Sequence, residues 1–119
     1  MKYIWCTIMT TKMDESIAFY KDVIGLEIER EQEIGSKKLV FLTDGNVSVE
    51  LIYDAANQAI EKIEGISIGF SVENLEEAIT LMREKNIEIE EGPYQPTPHV
   101  RFFYVRDPNG VKIQIFKAQ

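Results

Sequence analysis

Few side chains in this 119-residue chain are placed to do chemistry. Glu50 stands in the segment VSVELI (47–52) and Gln114 in VKIQIF (111–116), each a polar group between apolar neighbours. Such alternation reads as a half-buried strand, with the polar residue on one face and its aliphatic neighbours on the other. A carboxylate held there can accept a proton, hold a cation or ligate a metal, whereas an amide is a much weaker ligand. The other candidates are isolated. Cys6 is the only cysteine, which excludes an intrachain disulfide and a Cys-rich zinc site. Its apolar strand context makes it a small core residue rather than a nucleophile. His99, the only histidine, follows Pro98 and reads as an exposed loop-edge residue that could still act as acid, base or hydrogen-bonding group at a rim. No nucleophile–base pair is evident.

The elements that must position these groups can be read along the chain. Residues 3–9 alternate as a strand, with Tyr3, Trp5, Thr7 and Met9 on one face and Ile4, Cys6 and Ile8 on the other. A helix is predicted over 13–23, capped by Thr11 or Asp14 and ended by Gly25. Strands follow at 26–30 (extending toward Glu33), 38–43 and 47–53, the last two joined by the hairpin signal Asp44-Gly45-Asn46. Signals fade over 54–64, which suits a short helix or a mobile connection equally. A strand at 65–72 leads to a helix capped by Asn74, with Glu76 and Glu77 at the positive end of its dipole. A short strand is predicted at 87–90. Residues 92–98, with Pro93, Pro96 and Pro98, read as a loop. Two strands, 100–105 and 111–116, then close the chain around Asp107-Pro108-Asn109-Gly110.

This order occurs twice. DESIAFY (14–20) matches EEAITLM (76–82) in charge and apolar pattern, and GLEIE (25–29) resembles NIEIE (86–90). VFLTDGNVSVELI (40–52) resembles FFYVRDPNGVKIQIF (102–116). Each half therefore reads strand, helix, strand, strand, strand. One helix covers only one face of four strands. The opposite face, with Trp5, Glu50, Ser67 and Gln114, is where a small-molecule site is expected, although a solvated face or a dimer contact would fit the same residues. The net charge of −7 opposes nucleic-acid binding, which needs a basic patch. No apolar run is long enough to span a bilayer and the N-terminus lacks a signal-peptide pattern, so a cytoplasmic protein is expected, with no membrane or nucleic-acid partner.

With these segments in view, the chain resembles the vicinal oxygen chelate superfamily: glyoxalase I, bleomycin-resistance proteins and extradiol dioxygenases. The resemblance spans nearly the whole chain. It rests on SIAFYKDVIGLE (16–27), VELI (49–52), VENLEEA (72–78) and YVRDPNGVKIQI (104–115). It implies an α+β fold, with a single domain built from two βαβββ modules, 1–60 and 61–119, forming a cup-shaped mixed sheet. In enzymes of this group a divalent metal sits in the cup, held by His or Glu from the first and last strand of each module. Carried over, those positions fall on Trp5, Glu50, Ser67 (or Ile66) and Gln114. An indole N–H cannot ligate, and serine and glutamine are not the usual ligands. The expectation is therefore a site with no metal and no other cofactor.

Pairing across the two turns is expected to set Phe41 opposite Glu50, Phe103 opposite Gln114 and Arg101 opposite Phe116. The candidate ligand-binding set is then Trp5, Thr7, Phe41, Glu50, Ile52, Ser67, Arg101, Phe103, Gln114 and Phe116, with Lys112 on the same face. Glu50 is the best catalytic candidate and, if buried, would need Gln114 or Trp5 as a partner. The expected function is metal-free binding of an aromatic or amphipathic small molecule. The alternative is a divalent-metal-dependent lyase, isomerase or dioxygenase with an atypical ligand set. Open sheet edges make a homodimer plausible.

Overall fold

The alternating segments pair into two four-stranded sheets in a computed structural model, which describes residues 1–118. The chain divides into two compact units, Met1–Lys62 and a second beginning at Ile63. The first contains β1 (Trp5–Met9), α1 (Met13–Ala18), β2 (Glu27–Ile34), β3 (Lys37–Thr43) and β4 (Ser48–Asp54), in the sheet order β1-β4-β3-β2. The second contains β5 (Ser67–Ser71), α2 (Leu75–Glu84), β6 (Glu91–Thr97), β7 (Val100–Arg106) and β8 (Lys112–Ala118), in the order β5-β8-β7-β6. In each, the first strand runs parallel to the last and the other pairs are antiparallel. The repeat read in the sequence is thus a repeat of topology.

Each unit buries the aliphatic face of its sheet beneath its helix. In the first unit Ile8, Val40, Leu42, Val49 and Leu51 are buried on the face that meets α1. In the second, Val105, Ile113 and Ile115 lie with Leu75, Ala78, Ile79 and Met82 of α2. Each such side chain contributes about 1.5–3 kcal/mol through burial, which pins the register of its strand. Asn74 caps α2 as its sequence predicts, its Oδ1 accepting from Glu77 N–H at 3.1 Å.

Three local readings are corrected. The first helix is α-helical only to Ala18 and continues as a π-helical turn over Phe19–Val23. Neither Thr11 nor Asp14 caps it; the N-cap is Lys12, whose own N–H donates to Thr10 Oγ1. The strand expected at 87–90 does not form, because Ile87 N–H is taken by Met82 O at the end of α2. The strand forms instead at Glu91–Thr97, inside the proline-rich segment. It pairs with β7 at Glu91, Tyr94 and Thr97, and Pro93 and Pro96 fall in the gaps between. An edge strand tolerates prolines because one side of its backbone needs no partner. Residues 57–64 form neither helix nor strand.

The third correction reverses a face. Five residues, not four, separate the paired ends of β7 and β8, since Arg106 pairs with Lys112. Asp107 N–H donates to Val111 O at 3.0 Å, and Asp107 Oδ1 accepts from the N–H groups of Asn109 and Val111, both at 2.8 Å. Val111 is thereby drawn into the turn. Tyr104 therefore faces Gln114 across the strands, Phe102 faces Phe116, and Phe103 faces Ile115. A one-residue slip moves every side chain of a strand to the opposite face. Among the described residues no helix is long and apolar enough to cross a membrane.

Candidate functional site

The four strands of the first unit each contribute one residue to a row across the sheet, on the face away from α1. In order from β2 to β1 the row is Arg30, Phe41, Glu50 and Thr7. Glu50 is only 6% exposed. Its Oε1 accepts a 2.5 Å hydrogen bond from Thr7 Oγ1, so the partner of the buried carboxylate is Thr7 rather than Gln114 or Trp5. A charge taken from water needs such a donor. Beside Glu50, the buried Phe41 meets the half-exposed Trp5 edge to face, with centroids 5.5 Å apart. The Arg30 guanidinium carbon lies 4.2 Å from the Phe41 ring centre. Arg30 reaches this face because β2 has a bulge. Ile28 pairs with Leu42 and Arg30 with Phe41, leaving Glu29 as the extra residue. Ile52, between Leu39 and Met9 in the register, extends the face by one apolar step.

The second unit carries a row of different chemistry: Glu91, Tyr104, Gln114 and Gly69. Tyr94, Phe102 and Tyr104 form successive edge-to-face contacts at 5.6 and 5.7 Å. Phe116 lies opposite Phe102 and Ser71. The Lys112 ammonium ion-pairs with Glu91 and lies 4.3 Å from the Tyr104 ring centre. The hydrogen bond that Lys112 donates to Glu91 raises the lysine pKa above its ordinary value. Ser67 pairs with Lys112, not with Gln114, and is exposed.

Two expected residues leave the set. Phe103 is fully buried on the α2 face, opposite to Gln114. Arg101 shares that face, and its Nη2 donates to Glu76 Oε1 of α2 at 2.9 Å. The structure adds Arg30, Tyr94, Phe102 and Tyr104 to the polar faces. A count of five turn residues between β7 and β8 would have found Phe102 and Tyr104, but no sequence signal marks the bulge that turns Arg30. His99 is exposed in the turn between β6 and β7, its backbone N–H donating to Thr97 Oγ1.

A divalent metal is implied by the fold, and the donors do not fit one. Of the four carried-over positions, Trp5 offers only an N–H donor, Ser67 a hydroxyl beside the cationic Lys112, and Gln114 a neutral amide. Glu50 alone is a carboxylate, already bonded to Thr7. Among the described residues no three or more His, Cys, Asp or Glu side chains gather as a metal site.

With the fold and faces defined, comparison with known proteins becomes specific. The sequence profile of the Glyoxalase/Bleomycin resistance protein/Dioxygenase superfamily matches residues 2–115, and the chain belongs to this family. It is 29% identical over 128 residues to a lactoylglutathione lyase of Salmonella typhimurium, covering 100% of this chain and 94% of that protein. It is 26% identical over 117 residues to the uncharacterized protein YwkD of Bacillus subtilis, covering 92% and 91%. In structure it is similar to the trypanothione-dependent glyoxalase I of Leishmania major, with a TM-score of 0.85 at 23% identity, over 98% of this chain and 86% of that one. The last likeness is one of fold.

Proposed function

We propose that this protein is a small-molecule-binding member of the family that works without a metal, taking an aromatic or amphipathic ligand on the Glu50 face of its first unit. The observation that carries this reading is the buried Glu50 carboxylate, bonded to the exposed Thr7 hydroxyl, beside the Trp5–Phe41 aromatic contact. Trp5, exposed and backed by the buried Phe41, offers stacking surface for a planar body, and the carboxylate offers an acceptor for a cationic or hydrogen-bond-donating group. Homodimer formation through open strand edges is part of the same proposal.

A second reading is a divalent-metal-dependent lyase, isomerase or dioxygenase with an atypical ligand set. It is favoured by full-length similarity to a lactoylglutathione lyase. The two readings separate by metal analysis of untagged protein, combined with thermal shifts against nickel, zinc, manganese and iron(II). Metal-free binding predicts substoichiometric metal and no melting-temperature rise, since only a ligand of the native state stabilises it by mass action. A stoichiometric metal that is lost in Glu50→Ala would overturn that reading and place the enzyme first.

A further inference from the structure

The two rows differ most in how they treat a positive charge. In the second unit the Lys112 cation is neutralised by Glu91, which occupies the β6 position of its row. The matching β2 position in the first unit is Arg30 itself. Its guanidinium lies on Phe41 and, among the described residues, no carboxylate pairs with it. This is so in a chain of net charge −7, and in a strand that also carries Glu27, Glu29, Glu31 and Glu33. The bulge at Glu29 separates Arg30 from the plain alternation of that strand and sets it in register with Phe41, next to Glu50 in the row. A guanidinium held over an aromatic ring keeps its planar fork available for a carboxylate.

From this row we infer that Arg30 is the anion-recognition residue of the Glu50 face, and that the ligand carries both charges. Its carboxylate meets Arg30 where that side chain covers Phe41, its planar body lies along the exposed Trp5, and its cationic or donor group meets Glu50. Strands are spaced by about 4.8 Å, so Arg30 and Glu50, two strands apart, are about 9.6 Å apart at the backbone. That span suits a body of one substituted ring. The inference rests on the Glu50 face being the binding face, and adds the polarity of what it binds.

Three probes test it: benzylamine, benzoate and 4-(aminomethyl)benzoate, with binding followed by calorimetry or NMR titration on the full chain. Wild type should bind 4-(aminomethyl)benzoate roughly tenfold tighter than benzylamine, the gain of one charge-assisted contact. Arg30→Gln should erase that gain, so that 4-(aminomethyl)benzoate and benzylamine bind the variant equally, and Arg30→Lys should restore part of it. Arg30 is exposed, so both variants should fold, with melting temperatures close to wild type. Equal losses for benzylamine and 4-(aminomethyl)benzoate in Arg30→Gln would show that Arg30 only covers Phe41, and would overturn the inference. Benzylamine binding with no carboxylate gain in wild type would overturn it too, while sparing the Glu50 face. Failure of benzylamine to bind wild type would remove the Glu50 reading and this inference with it. Benzoate binding that persists in Arg30→Gln would place the anion site elsewhere.

Discussion

Thr7 and Glu50 are 43 residues apart in the chain and share a hydrogen bond, because β1 runs parallel to β4 and sets the two side by side. The threonine is the structural reason a carboxylate can stay buried in the middle of a sheet. Thr7→Val keeps the shape and removes the donor, leaving Glu50 without its partner. The expected cost is about 1–3 kcal/mol of stability, read from urea denaturation. Replacing both residues by apolar ones of similar size, as in Thr7→Val with Glu50→Leu, should recover much of that loss. A double variant as unstable as Thr7→Val alone would show that the carboxylate is supported by other groups.

The β7–β8 register makes opposite predictions for two neighbouring residues. Phe103→Ala should cost about 3–5 kcal/mol, because it empties a fully buried position against the α2 face. Arg101→Ala breaks a partly solvated ion pair with Glu76 and should cost less than about 1 kcal/mol. Neither change should alter ligand affinity beyond the general loss of folded protein. If Arg101→Ala weakened ligand binding while leaving stability intact, the face assignment would be wrong.

Asp44 gives a pH prediction with a definite sign. Backbone N–H groups of Asn46 and Val47 donate to its carboxylate and hold its pKa below the ordinary value. A carboxylate depressed in the folded state stabilises the fold above its unfolded pKa of about 3.9, and that contribution fades as pH falls through the lower folded value. Asp44 is exposed, so the effect is small. Asp44→Ala should be less stable than wild type at pH 6, and the difference should shrink steadily in denaturation series taken toward pH 2. A difference that grew with acid would contradict the hydrogen-bonded turn.

Much of this protein is legible from local pattern. Alternation places Glu50 among aliphatic residues of a strand, Asn74 caps its helix by side-chain chemistry, and the same order of elements recurs in both halves. These properties depend on near neighbours and on a period of two or 3.6 residues, and such information survives in the linear chain. What it cannot carry is register between strands. One additional residue in the Asp107–Val111 turn sends Phe103 into the core and brings Tyr104 beside Gln114. One bulge residue, Glu29, carries Arg30 onto the Glu50 face. Pro93 and Pro96 sit in a strand because that strand is an edge. Thr7 meets Glu50 only through a parallel pairing across 43 residues. Each of these was decided by hydrogen bonds and packing between distant segments, for which no local periodicity exists to be read.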